Sequence, residues 1–253
     1  MKTVFITGAA HGIGLATARR FASQGWFVGL YDINSEALDG LLGSGDFQHA
    51  CACYCDVTQR DSIDNALQHF SDNTNGRLDV LVNNAGVLSA GKFEEIAPKA
   101  HDLIVDVNIR GATHVAQAAF GLLKQTPGST LVNLCSVSSV HAVPLLAVYS
   151  ASKYYIDGLT AALNIEWAPH DIRVTCVKPP AINTAMGHQL DPTTIDKLGI
   201  NMEPEQVAES IQNAVDGRRV SYILGTSARL WSILDKFLPE SGRRALVRYL
   251  AGQ

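Results

Sequence analysis

Short apolar runs alternate with longer amphipathic runs along most of the chain. Val4-Phe5-Ile6, Trp26 to Tyr31, Gln48 to Tyr54, Val80 to Val82, Ser129 to Leu134 and Arg173 to Val177 read as strands. Between them a helical period predicts helices over Gly12 to Gln24, Ser35 to Leu42, Arg60 to Phe70 and about Ala100 to Lys124. Two more helices are predicted from about Val148 to Trp167 and from Pro204 to Val215. This alternation implies an α/β fold. The strands form a doubly wound parallel sheet, joined by right-handed crossovers and covered by helices on both faces. No linker, repeat or low-complexity tract interrupts it, so residues 1–253 are expected to form a single domain.

Residues 227–253 leave this rhythm. Leu230, Leu234, Phe237 and Leu238 fall at i, i+4, i+7 and i+8, one apolar face of a helix. Arg229, Lys236, Arg243, Arg244 and Arg248 outnumber Asp235 and Glu240 there. A basic amphipathic tail suits a membrane surface or a partner groove. The expectation here is the simpler one, a helix packed on its own domain or on a twin subunit.

Composition narrows the function classes. With 47% hydrophobic and 17% charged residues, the chain is no disordered segment, and a net charge of -4 excludes a nucleic-acid grip by overall basicity. Met1-Lys2 runs directly into the first strand, so no signal peptide is expected. Nor does any run of 18 apolar residues predict a membrane span. Cys51, Cys53 and Cys55 alternate on one face of a strand, without a fourth ligand or a chelating loop. Buried thiols in a reducing compartment follow, with no metal site and a cytoplasmic location.

Candidate chemistry begins after the first strand. Thr7-Gly8-Ala9-Ala10-His11-Gly12-Ile13-Gly14 opens a helix. Gly8 permits the tight turn, Gly12 lets the backbone approach a pyrophosphate, and Gly14 lets helix and sheet pack closely. The helix N-terminus then presents free N–H groups and a positive dipole end to the phosphates. A strand before and a helix after supply the context that a Rossmann-like dinucleotide turn needs. Asp32 ends the second strand, 24 residues after Gly8, where a carboxylate accepts from both ribose hydroxyls and repels a 2′-phosphate. No Arg or Lys lies between Arg20 and Arg60 to offset that repulsion, and His11 is a poor substitute for a fixed cation. NAD is therefore expected over NADP. The alternative is that Asp32 only caps the next helix.

Tyr149 and Lys153 stand four residues apart, on one face of a helix. A nearby ammonium, with the positive nicotinamide ring, should lower the pKa of a phenol from its usual value of about 10. Ser136, thirteen residues upstream and just past a strand, can hold a substrate carbonyl.

Taken together, these residues resemble the short-chain dehydrogenase/reductase family in its 250-residue, single-domain form. The resemblance covers residues 3 to about 226. It rests on the glycine turn, Asp56-Val57, Asn83-Asn84-Ala85-Gly86, Asn108, Ser136, and Tyr149 through Lys153, in family order. It implies Tyr149 as general acid/base, Lys153 on the nicotinamide ribose and tuning Tyr149, and Ser136 orienting the reacting oxygen. Asn108, in a local helix break, would hold a water that links Lys153 to solvent. Asp56 would meet the adenine with Val57 beside it, while Asn84, Ala85 and Gly86 line the cofactor. Pro179 would also line the cofactor, and Ile182 and Thr184 would touch its nicotinamide carboxamide and phosphates. The chain departs from the family at Pro180, where Pro-Gly is usual; the second proline removes an N–H and fixes φ.

The resulting expectation is an NAD(H)-dependent oxidoreductase that interconverts a secondary alcohol and a ketone. Alternatives are an NADPH-dependent 3-ketoacyl-type reductase and a non-catalytic dinucleotide-binding protein. Apolar residues, Val87, Leu88, Val143, Pro144, Leu145, Met186, Leu190 and Leu198, are expected at the substrate, which implies an uncharged lipophilic one. His141 and His188 are read as loop residues. The helices near 100–124 and 148–167 should pair with their counterparts in a homodimer, with the tail obstructing a tetramer.

Overall fold

The computed structural model describes residues 1–187, 202–234, 238–239 and 241–242. Seven strands form one sheet: β1 Thr3–Thr7, β2 Phe27–Asp32, β3 Ala50–Tyr54, β4 Val80–Asn83, β5 Thr130–Leu134, β6 Arg173–Lys178 and β7 Ser221–Ile223. Every neighbouring pair is parallel, in the order β3-β2-β1-β4-β5-β6-β7. The helices are α1 Gly12–Ser23, α2 Ser35–Gly43, α3 Arg60–Thr74, α4 Pro98–Ile104, α5 Ala112–Gln125, α6 Ala147–Glu166, α7 Pro204–Asp216 and α8 Thr226–Leu234. The Rossmann-like doubly wound sheet expected from the sequence is what forms. None of the described helices is long and apolar enough to cross a membrane.

Strand alternation divides the core into two layers. Val4 and Ile6 face one side with Val82, Val132 and Val177, where Phe21 of α1 and Ile211 of α7 cover them. Phe5, Leu81, Leu131 and Val174 face the other side, against Phe70 of α3 and Leu123 of α5. The strand order reverses between β1 and β4, which opens a crevice at the carboxyl ends of the strands. All five cysteines are free; Cys51 and Cys55 are buried, while Cys53 is half-buried.

Two local differences stand out. The single helix expected over 100–124 is α4, a π-helical stretch Val105–Gly111, then α5. Such a wide turn leaves the hydrophobic period almost unchanged, so the pattern does not show it. In the tail, α8 forms, and Leu230 on it is exposed together with Ile233. Phe237, Lys236 and the arginines from Arg243 onward lie outside the described residues, as do His188, Leu190 and Leu198.

Candidate active site

The crevice holds a cavity of about 760 Å³ that runs from the glycine turn to the start of α6. At one end, Gly8 adopts φ +66° and a side chain on it would collide with Asn84 and Ala85. A side chain on Gly14 would strike the Gly8 carbonyl, so helix α1 can approach the turn only here. The turn is locked to β4 from both sides. Asn84 Nδ2 donates to the carbonyls of Thr7 and Gly8, and Thr7 Oγ1 accepts from the backbone N–H groups of Asn84 and Ala85.

His11 occupies the N-cap of α1 without a capping side-chain bond, and no acid lies in the first turn. The helix therefore presents its free N–H groups and positive end to the cavity wall, where His11, Gly12 and Ile13 lie. An anion fits there. Thr184 stands over Gly12 on the opposite wall, with Pro179 and Ile182 beside it. The loop after β6 thus reaches the glycine turn despite Pro180.

Asp32 also lines the cavity. Its Oδ2 accepts from the Ala10 N–H at 3.0 Å and its Oδ1 from the Asn34 N–H at 3.0 Å. Asn34, not Asp32, caps α2, through its bond from the Ala37 N–H. The helix-cap alternative is thereby removed. Each carboxylate oxygen keeps a lone pair for a further donor.

At the far end, Ser136, Tyr149 and Lys153 meet on one wall. Ser136 is extended, and its Oγ accepts from the Ser138 N–H at 3.2 Å. Lys153 is buried; its Nζ donates to the Leu134 carbonyl at 3.0 Å and lies 5.5 Å from the centre of the Tyr149 ring. From the chain's own groups alone, the Tyr149 phenol is pushed up to about 12: burial outweighs the lowering by Ser136, and Cys135 adds to the rise. Burial also holds the Lys153 ammonium below its usual pKa. The low-dielectric wall disfavours both charges in the absence of a third.

Asn108 is tied to the loop after β4. Its side chain is committed to the backbone of Val87, accepting from N–H at 2.8 Å and donating to C=O at 2.9 Å. Nδ2 also donates to Ser152 Oγ, which in turn donates to the Tyr149 carbonyl. The Asn108 side chain is thus engaged by protein groups. It clamps the loop after β4 to the first turn of α6, and the π-helical stretch around it is the expected helix break.

Asp56 and Val57 do not line the cavity. Asp56 Oδ1 accepts from the Thr58 N–H and hydroxyl, and Val57 is buried against Gly111. Asn84, Ala85 and Gly86 do line it, as expected. Of the apolar residues expected at the substrate, Leu88, Val143, Pro144, Leu145 and Met186 line the cavity, while Val87 serves as the Asn108 clamp. His141, read as a loop residue, also lines it, and so does Ala228 of α8. No motif marks Ala228, because only the tertiary fold brings α8 to the cavity. Ser152 could have been suspected, since it lies on the helix that carries Tyr149 and Lys153.

The short chain dehydrogenase family model matches residues 2–194. The oxidoreductase UcpA of Salmonella typhimurium is 34% identical over 225 residues, spanning 87% of this chain and 82% of that protein. Among solved structures, a 3-ketoacyl-(acyl-carrier-protein) reductase from Brucella melitensis complexed with NADH superposes with a TM-score of 0.80. It is 28% identical, covering 88% of this chain and 96% of that one. An alcohol dehydrogenase from the archaeon Thermococcus sibiricus complexed with 5-hydroxy-NADP gives a TM-score of 0.78 at 25% identity, with coverages of 88% and 96%.

Proposed function

The chain belongs to the short chain dehydrogenase family and is an oxidoreductase; from that premise we propose an NAD(H)-dependent enzyme that interconverts an uncharged, lipophilic secondary alcohol and its ketone. The observation that carries this reading is the single cavity: an anion-binding helix end and Asp32 at one end, Ser136, Tyr149 and Lys153 at the other. The glycine turn with Asn84 and Thr184 would hold the pyrophosphate, and the free lone pairs of Asp32 the adenosine ribose. A nicotinamide cofactor held there would supply the hydride chemistry.

The chain's own residues handle the oxygen and its proton. Tyr149 donates a proton to the ketone oxygen during reduction and removes the hydroxyl proton during oxidation. Ser136, which shares the cavity wall with Tyr149, holds the same oxygen. Lys153 binds the nicotinamide ribose and stabilises the phenolate, with its own charge helped by the Leu134 carbonyl. Ser152 and Asn108 keep the first turn of α6 in place beneath Tyr149.

At the substrate end the wall is mostly apolar, from Leu88, Val143, Leu145 and Met186, and among the described residues no Arg lines the cavity to grip a carboxylate or phosphate. That supports an uncharged substrate. Asp32 separates this reading from an NADPH-dependent 3-ketoacyl-type reductase, because a 2′-phosphate would meet a carboxylate. We further propose a homodimer, since α4 and α6 expose Leu103, Tyr154, Tyr155 and Ile165. We also propose a single domain and a cytoplasmic location, which five free thiols fit.

Calorimetric titration with NADH and NADPH tests the cofactor assignment. NADH is expected to bind at least about tenfold more tightly, a difference of about 1.4 kcal/mol. Equal or tighter NADPH binding would overturn it. Light scattering tests the dimer: a monomer would contradict the helix pairing, and a tetramer would show that the tail obstructs nothing.

A further inference from the structure

Among the described residues three non-glycines have a positive φ: Asn75, Leu145 and Asp171. Asn75 ends α3 and Asp171 ends a short 3₁₀ turn, which are helix-terminal positions where Asn and Asp tolerate the left-handed region. Leu145, at φ +67°, has no such excuse. A γ-branched side chain with no local hydrogen-bonding group is strained there.

The turn around it explains how the strain persists. The Leu146 N–H donates to the Val143 carbonyl at 3.1 Å, closing a turn over Val143, Pro144, Leu145 and Leu146. Proline second and a positive φ third are the signature of a type II turn, whose third position calls for glycine or asparagine. Three further bonds hold the turn in place. The Leu145 carbonyl accepts from the Gly91 N–H at 2.9 Å, across from the opposite loop. The Val143 N–H donates to Ser150 Oγ, and the Leu146 carbonyl accepts from the Ser150 N–H, both on α6. Leu146 is itself the N-cap of α6, three residues before Tyr149. The backbone cannot relax without moving the helix that carries Tyr149 and Lys153.

Glycine would fill this turn without strain, yet the position carries a leucine that lines the cavity. We propose that Leu145 is a specificity-determining residue: held in a strained turn directly before α6, it packs on the apolar substituent of the substrate beside the reacting carbon. Leu88 and Met186 continue the same wall. The inference rests on the proposed alcohol and ketone chemistry, and it names which part of the substrate is read and by what.

The test compares the full chain with its Leu145→Ala and Leu145→Gly variants. Binding of a series of 2-alkanones of increasing chain length to the NAD-saturated protein, which cannot reduce them, is measured by calorimetry, and turnover of the matching 2-alkanols with NAD is followed in parallel. Both variants are expected to lose about tenfold or more in affinity for the longest ketone relative to acetone, because each lacks the apolar side chain. Thermal unfolding without ligand reads the strain. Leu145→Gly should melt about 2 °C or more above Leu145→Ala, since only glycine accepts the left-handed φ without cost. Wild-type chain-length preference in both variants would overturn the specificity role, and an alanine variant melting above the glycine variant would overturn the strain. If the wild-type chain binds ketones by length through Leu145 but turns over no alcohol, the proposed reaction fails while this inference stands.

Discussion

The two ends of the cavity are built differently. At the cofactor end, regular elements set each group: the glycine turn between β1 and α1, Asp32 as the last residue of β2, and Asn84 just after β4. Their positions follow from strand ends and helix starts, and short backbone bonds pin them. At the substrate end the wall comes from loops and a late helix: the strained turn at Leu145, Ala185 and Met186 after β6, and Ala228 of α8. Tyr149 sits on the boundary, on α6 but one turn after that loop. A fixed chemistry can be held by the repeating geometry of the sheet, whereas selectivity depends on segments that only tertiary contacts shape.

Breaking the boundary should have the largest effect. Tyr149→Phe keeps the ring packing and removes the proton-transfer group, so kcat should fall by at least about 10²-fold. NADH binding should stay within about a factor of three, since the cofactor end is untouched. Steady-state rates and a binding titration on the same preparation would show it. A kcat near wild type would take Tyr149 out of the reaction.

Asp32→Ala breaks the cofactor end alone. Hydrogen bonds to a charged group are worth about 1.5–3 kcal/mol, so NAD should bind about ten- to a hundredfold more weakly while NADP improves relative to it. Substrate chain-length preference should not change. An unaltered NAD to NADP affinity ratio would mean that Asp32 serves only the glycine turn, through Ala10.

The pH profile sharpens the boundary further. Oxidation needs the phenolate of Tyr149, which is the minor form at neutral pH because burial pushes the phenol up to about 12. The oxidation rate should therefore rise with pH, by about tenfold per unit well below the bend. The cationic ring of bound NAD favours the phenolate and brings the bend below 12. Ketone reduction uses the neutral phenol and should stay flat over the same range. An oxidation rate independent of pH between 6 and 9, about three units, would contradict this assignment of the proton.

The smallest expected effect lies one residue before Lys153. Ser152→Ala removes the link between Asn108 and the Tyr149 carbonyl. A neutral hydrogen bond contributes about 0.5–1.5 kcal/mol, so kcat should drop about two- to tenfold. KM for NAD should be unchanged, and Ser152→Thr should restore most of the rate. A loss confined to thermal stability would leave Ser152 with a purely structural part.

Much of this organisation was legible in the residues. The alternating pattern anticipates the strand and helix order, and the spacing from Gly8 to Asp32 anticipates their meeting at one end of the cavity. Tyr149 and Lys153, at i and i+4, do share a wall with Ser136. What escaped depends on through-space contacts. The commitment of Asn108 to Val87, the place of Asp56 in a turn with Thr58, and the rise of the Tyr149 pKa all come from packing that spacing does not encode. The Val143-Pro144 pair hints at a turn, but leucine at its third position gives no sign of a positive φ.

The central claim is that one cavity joins NAD at one end to an uncharged alcohol at the other. Its most direct test is formation of NADH or NADPH by the full chain, given NAD or NADP respectively with a medium-length secondary alcohol. The account predicts turnover with NAD, at least about tenfold higher in kcat/KM than with NADP. Turnover that requires NADP, or none with either cofactor across the alcohol series, would contradict it.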